Sequence, residues 1–360
     1  MLKVLIVSVG KMSGGVESYT LILGKMLADN GFDVHYAVRA GAWLDGQLTT
    51  VKKLTVGLGR SLVADMKNLK KYVMDNDINI VHCNSNNGLF ISQLIKESKK
   101  CVKIGVVHGD VKIDQNHKGL FIRFMYEKLE TWLLKKKCTQ CIAVSKSIKD
   151  ILISRGISSD KIDVVYNCVE PFHYKNAPDY FADELKIVSV GNLLPVKNHI
   201  CLLNALLMVS SKYPEVKYIC DIFGEGPERE SLENYIADNN IKNVHLKGFD
   251  NNVRNKLNTY QLCINTSNYE SFGISIIEAM SAGCCVIASN VGGLKEIINR
   301  DCGFIVEKND SDAIADKIFY CFRDRQSLME KARKGKARCD KEFSEEAMSI
   351  RLLEVYRKLM

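Results

Sequence analysis

Two glutamates, Glu270 and Glu278, interrupt an otherwise apolar stretch at residues 268–283. If both were helical, their eight-position spacing would set them about 12 Å apart along the axis and roughly 80° around it. That is too far for shared acid–base chemistry, which in a retaining glycosidase needs carboxyl groups about 5 Å apart. The spacing suits two ends of one elongated ligand instead. Between them, the N–H groups of a helix starting near Ser271 would face an anion, and Gly273 has no side chain to block its approach. A polyol–phosphate–polyol ligand fits this layout. A plain amphipathic helix with two solvated glutamates fits less well, because Ile276, Ile277, Ala279 and Met280 surround Glu278.

Other residues offer compatible chemistry. Lys197 follows a strand and a glycine turn at residues 188–196 and stands just before a helix. A lysine there opposes the helix dipole, a conflict relieved by an anion between them; a solvated lysine is the plainer alternative. The loop at residues 10–15 also feeds a helix N-terminus. It lacks both the Gly-Lys-Ser/Thr ending of a Walker loop and the G-x-G-x-x-G spacing of a dinucleotide site. Its glycines still leave donors for an anion, although an ordinary tight turn accounts for them equally well. His108 ends a strand, where it is either structural or a proton-handling ligand. The turn at 224–227 reads equally as structure or ligand lining, and Phe249, after another strand, could stack on a base. The triplets Asp75-Asn76-Asp77 and Asp310-Ser311-Asp312 read as a turn and a helix cap, so no metal site is expected. Residues 117–137 mix aromatics with basic residues; core packing is the leading reading and an anionic membrane surface the rival.

These residues need elements to position them. Strand and helix patterns alternate almost throughout, with strands expected at 4–9, 33–38, 79–83, 103–107, 140–144 and 161–166. Helices are expected at 16–30, 62–75, 119–137 and 146–154, and 40–60 gives no clear pattern. A linker-like stretch at 168–184 precedes a restart at 185–190. After it come helices 198–211, 227–239, 251–258 and 311–322, strands 216–223, 243–247 and 303–306, and a helical end. The motif's own helix should lie between strands at 261–267 and 284–289 and stop at Gly283, a good position for a left-handed cap. Two doubly wound parallel-sheet α/β domains follow, with ligands at the C-terminal strand ends and between the halves.

The chain's 360 residues suit two such domains. A net charge of +8 suits anionic small molecules or an acidic membrane and is too diffuse for nucleic acid. The thirteen cysteines form no framework and sit mostly in apolar runs, so a reducing cytosol is expected. Cys138 and Cys141, the one CxxC pair, read as structural. The start reads as a first strand, too short for a signal peptide, and no run reaches transmembrane length.

The sequence resembles the retaining GT-B glycosyltransferases of family four. The resemblance rests on residues 270–283, followed by 286–293 and Glu296. Gly14-Gly15-Val16-Glu17, His108-Gly109, residues 143–145, Tyr166-Asn167, residues 189–197 and residues 224–227 support it in order. It implies an acceptor-side domain over 1–169 and a donor domain over 170–343, facing a central cleft, with 344–360 crossing back onto the first. It implies a nucleotide-diphosphate sugar as donor, no essential metal and no further cofactor. Glu270 would contact the transferred sugar and Glu278 the ribose hydroxyls, while the amides of Phe272, Gly273 and Ile274 approach sugar and diphosphate. Lys197 would stabilise the departing diphosphate, Gly15 cap it, and His108 lie near the reaction centre. Asn192 stands where many members have arginine, a loss of one cation costing about 2 kcal/mol. A saccharide or lipid-linked saccharide would be the acceptor. A nucleotide-sugar binding protein without turnover and an epimerase of the same fold are the alternatives.

Overall fold

The computed structural model describes residues 1–11, 14–57, 61–96, 98, 101–114, 119–170 and 177–359. The expected linker at 168–184, the loop at 10–15, the stretch at 40–60 and the basic stretch at 117–137 therefore each lie partly outside the described residues. The chain forms two compact units, one of Met1–Asn167 with Glu345–Met360, the other of Cys168–Ser344.

The first unit carries strands β1 (Lys3–Ser8), β2 (Asp33–Arg39), β3 (Lys52–Val56), β4 (Ile80–Cys83), β5 (Val102–Val107), β6 (Gln140–Ala143) and β7 (Ile162–Val164). They form one parallel sheet in the order β3-β2-β1-β4-β5-β6-β7. Its helices are α1 (Gly15–Asp29), α2 (Trp43–Gln47), α3 (Leu62–Asp75), α4 (Asn86–Ile91), α5 (Val111–Asp114), α6 (Leu120–Lys137) and α7 (Lys146–Ser154). Residues 4–7 of β1 are fully buried and apolar, as a parallel strand covered on both faces requires.

The second unit repeats the plan. Its strands are β8 (Leu185–Val190), β9 (Tyr218–Phe223), β10 (Val244–Gly248), β11 (Leu262–Asn265), β12 (Cys285–Ser289) and β13 (Phe304–Val306). Their order is β10-β9-β8-β11-β12-β13, all parallel. The helices are α8 (His199–Lys212), α9 (Arg229–Asp238), α10 (Ile274–Ser281), α11 (Leu294–Ile297), α12 (Ser311–Arg323) and α13 (Arg325–Glu342). The last helix, α14 (Glu345–Leu359), belongs to the first unit, where Tyr356 is buried with its hydroxyl 2.9 Å from His82 Nδ1. These two units are the two doubly wound parallel-sheet domains that the sequence predicts.

Three expectations change. Residues 253–259 are a 3-10 helix, because this short polar run has no apolar stripe to hold a longer α-helix. The stretch at 40–60 yields α2 and the edge strand β3, whose lysines carry no period-2 signal. Helix α10 begins at Ile274, three residues later than the sequence pattern places it, because Gly273 enters it in a left-handed conformation with φ +115°.

Both sheets reverse their winding, between β1 and β4 in one unit and between β8 and β11 in the other. The crevice at such a switch point is where doubly wound sheets bind ligands. The loops leaving β8 and β11 carry Lys197 and Glu270.

Candidate functional site

Lys197 ends a short 3-10 turn, residues 195–197, and Asn198 reverses the chain in a left-handed conformation, φ +53°. The loop after β11 pins that turn. Asn268 N donates to the Val196 carbonyl at 2.8 Å, and Thr266 Oγ1 donates to the Asn198 carbonyl at 2.9 Å. The lysine stem lies in contact with Gly191, where a Cβ would meet it at 3.7 Å. Gly191 in turn is packed by Gly224, where a Cβ would come within 1.9 Å of the Gly191 carbonyl oxygen. The 224–227 turn therefore has a structural reason for its glycine, which the sequence pattern leaves open.

Glu270 Oε1 accepts from Lys197 Nζ. The same oxygen accepts from Asn265 Nδ2 at 3.2 Å and Ser267 Oγ at 3.1 Å. Three donors on one oxygen fix the carboxylate. The backbone is fixed as well, since Gly293 N donates to the Glu270 carbonyl at 3.0 Å. The anion relieving Lys197 is thus a glutamate 73 positions away. The sequence reading places Lys197 at the diphosphate and Glu270 at the sugar and misses their contact.

Phe272 and Gly273 are buried behind this turn, and the amides of Ile276 and Ile277 make their bonds to the Gly273 carbonyl. The amides of Ile274 and Ser275 precede them, at the end of α10 where anions are favoured. Glu278 sits one turn further in, partly buried. Burial pushes its carboxyl up to about 7, against a smaller downward pull from Arg254. Asn192 is exposed at the Gly191 turn, and His199, deeply buried, is drawn down to about 4, chiefly by burial. Phe249 is 64% exposed at the end of β10. Asp310 accepts from Ala313 N at 2.9 Å as a helix cap.

Gly15 and His108 belong to the other unit. Gly15 opens α1 after an extended Gly14. His108, after β5, approaches Asn84 Oδ1 through Nε2 at 2.8 Å. Asn84, fully buried, directs its amide nitrogen at Thr20 Oγ1, 2.6 Å away, and at the Val16 carbonyl, 3.3 Å away, which only accepts, so its oxygen faces the histidine. Nε2 then carries the proton and Nδ1 is the ring's acceptor. Burial draws the His108 pKa down to about 4, and Tyr19 packs edge-on against the ring at 5.0 Å. Glu17 folds over the preceding loop, one oxygen 1.9 Å from where a Gly10 Cβ would stand, and burial raises its pKa. Asn84 was missed in the sequence, although it follows a strand at the switch point, which is the available signal.

The raised Glu278 carboxyl gives a prediction. Its pKa lies above the unfolded value, so its ionisation removes stability as pH rises from about 4.5 to about 7. Glu278→Gln should lack that loss and be more stable than the parent above pH 7, by about 1–3 kcal/mol after allowing for partial exposure. Paired denaturant titrations at pH 4.5 and 7.5 check it; a stability difference independent of pH contradicts it.

A family model described as glycosyl transferases group 1 matches residues 174–338, and one described as glycosyltransferase family 4 matches residues 13–171. A Staphylococcus aureus poly(ribitol-phosphate) alpha-N-acetylglucosaminyltransferase is 25% identical over 80% of the chain. A Bacillus subtilis poly(glycerol-phosphate) alpha-glucosyltransferase is 30% identical over 41% of it. The chain spans 57% and 22% of the lengths of these two relatives. An Escherichia coli UDP-Gal:alpha-D-GlcNAc-diphosphoundecaprenol alpha-1,3-galactosyltransferase is 25% identical, covering 88% of the chain and 87% of the relative. Among solved structures, Anabaena HepE in complex with UDP-glucose superposes with a TM-score of 0.84 at 18% identity, covering 99% of this chain and 100% of that one.

Proposed function

The chain belongs to the GT-B glycosyltransferases of family four, and on that premise we propose that it transfers a sugar from a nucleotide-diphosphate sugar to an acceptor hydroxyl. The proposed transfer retains the anomeric configuration and needs no metal, on the cytoplasmic side, with a saccharide or lipid-linked saccharide as acceptor. The observation that carries this reading is the Lys197–Glu270 pair, held at a sheet switch point beside the α10 N-terminus. The UDP-Gal donor and the lipid-linked GlcNAc-diphosphoundecaprenol acceptor named for the Escherichia coli relative, which this chain covers over 87% of its length, support donor and acceptor class.

The chemistry follows from charge. The bond from the sugar C1 to the phosphate oxygen breaks, the bond to the acceptor oxygen forms, and negative charge develops on the departing diphosphate. Lys197 and the first amides of α10 supply fixed positive charge there, the role a divalent ion fills elsewhere. Glu270, anchored by Asn265 and Ser267, takes the sugar hydroxyls. The departing phosphate oxygen is a base for the acceptor's proton. Glu278, further along the helix, takes the ribose hydroxyls, and Phe249 the base. In the first unit, Gly15 opens a helix N-terminus that suits an anion, and His108, neutral at physiological pH, is a hydrogen-bonding group rather than an acid.

Lys197→Ala removes one charge-assisted bond of about 1.5–3 kcal/mol, so nucleoside diphosphate affinity should fall about 10- to 100-fold by calorimetry. The whole reading is tested by a thermal-shift screen of nucleoside diphosphates and their sugars, then transfer to saccharide and lipid-linked acceptors with NMR of the new anomeric centre. Stabilisation by one nucleotide and a product of unchanged configuration support it. Donor binding without transfer or hydrolysis contradicts enzymatic function, and an inverted product contradicts retention.

A further inference from the structure

Helix α6 is eighteen residues long and does not bury its aromatic side chains. Phe121 is 74% exposed, and Leu120, Phe124, Met125 and Trp132 are exposed with it. Phe121, Phe124, Met125, Lys128, Trp132 and Lys135 fall within about 100° of one another around the axis, so this is one face. A contiguous exposed apolar face of this kind marks an interaction surface.

The charges identify what covers it. The helix has only two carboxylates, and both are turned inward: Glu127 is 9% and Glu130 3% exposed. Arg155 holds Glu130 at 2.6 Å, and Lys112 holds Glu127 at 2.8 Å. The exposed charges of the helix, Lys128, Lys135 and Lys136, are therefore all positive. Lys128 shares the aromatic face, its Nζ 5.1 Å from the Phe124 ring centroid, and half-buried Lys137 reaches to it, its Nζ 5.4 Å from that of Trp132. An aromatic face rimmed only by lysines matches an anionic bilayer surface, where rings sit among the headgroups and ammonium groups meet phosphates. Among the described residues, no helix is long and apolar enough to cross a membrane, so the contact would be interfacial.

A groove of about 660 Å³ opens beside this face; Met125 lines both, and Tyr126 and Leu129 continue the groove wall. Its far wall includes Phe90 and Ile91 of α4, and Arg39 stands in its lining. No ion pair of Arg39 occurs among the described residues. Asn86, Asn87 and Glu130 also line it, but Glu130 is already paired with Arg155, so this largely apolar slot holds one cation without an ion pair and fits a lipid chain attached to a phosphate.

We propose that the outer face of α6 docks on an anionic lipid bilayer and that the adjoining groove admits an apolar lipid chain, with Arg39 meeting its phosphate. The inference goes beyond the transfer reading and does not depend on it.

The test is co-sedimentation of the full chain with phosphatidylcholine vesicles and with vesicles containing a third phosphatidylglycerol, at low and high salt. The expected result is binding to the anionic vesicles only, weakened at least tenfold by high salt. F121E/F124E/W132E should lose at least tenfold in binding at an unchanged thermal midpoint. Arg39→Gln should reduce quenching of Trp132 by chain-brominated phosphatidylglycerol, in a Trp43→Phe background, while leaving the thermal midpoint alone. Equal binding to both vesicle types, no binding to either, or self-association abolished by the triple variant overturns bilayer docking. Unchanged quenching in Arg39→Gln overturns the groove assignment alone. Transfer to a soluble saccharide by the triple variant separates failure here from failure of the transfer reading.

Discussion

Glu270→Gln is expected to lower kcat by about 10²- to 10³-fold, the scale of removing one preorganised polar group from a reaction centre. The substitution is nearly isosteric and keeps an acceptor for Asn265 and Ser267, so the fold should survive. What it removes is the negative charge beside Lys197. In the free protein that charge neutralises the lysine; once a donor binds, the diphosphate competes for the same ammonium group. Removing the glutamate charge therefore has two opposite effects. The sugar loses its partner and turnover falls, while a bare nucleoside diphosphate meets an uncompensated lysine and binds as tightly as before, or more tightly. A structural role alone would weaken both. Steady-state kinetics with calorimetry of nucleoside diphosphate binding separates the cases.

Gly292→Ala is the second large effect, and it acts through the backbone. Gly292 has φ +46°, and a Cβ there would stand 1.7 Å from the Glu270 carbonyl oxygen. A left-handed alanine costs about 1–2 kcal/mol, and the overpacking roughly another 1–3. The combined loss should lower the thermal midpoint by on the order of 10 °C for a unit of this size. The clash cannot be relieved by a side-chain rotation, because the atom it meets is backbone. Moving it displaces Glu270 from Lys197, and a shift of about 1 Å at a reaction centre costs about a hundredfold in rate. Thermal unfolding and kcat should therefore fall together, and a variant that keeps both would show that the 270 loop tolerates movement.

The alternation of elements was legible because parallel strands buried on both faces read as apolar runs, such as Val4–Val7 in β1 and the run around Cys285–Ser289 in β12. Helix α3 matched its sequence pattern from Leu62 to Asp75 because Ser61 caps it through Ala64 N and a polar Asn76 follows. What stayed illegible depended on tertiary placement. No local rule joins Lys197 to Glu270 across 73 positions; the sheet order does. The start of α10 was misplaced because the pattern at 271–273 is compatible with a helix, and only the packing of Gly273 against Leu294, 2.5 Å from its would-be Cβ, makes the turn necessary. Sequence position gave Glu278 an isolated carboxylate in an apolar run; its pKa near 7 needed the burial supplied by the folded unit. The inward turn of Glu127 and Glu130 was equally hidden, since it depends on Arg155 from α7's C-terminal end.

The central claim, that Lys197 and Glu270 form one donor site with opposed effects on the diphosphate, is tested most directly by titrating one nucleoside diphosphate into the parent, Lys197→Ala and Glu270→Gln under identical conditions. The account predicts a 10- to 100-fold loss of affinity in Lys197→Ala and none, or a gain, in Glu270→Gln. Equal losses in both variants, or no change in Lys197→Ala, would contradict it.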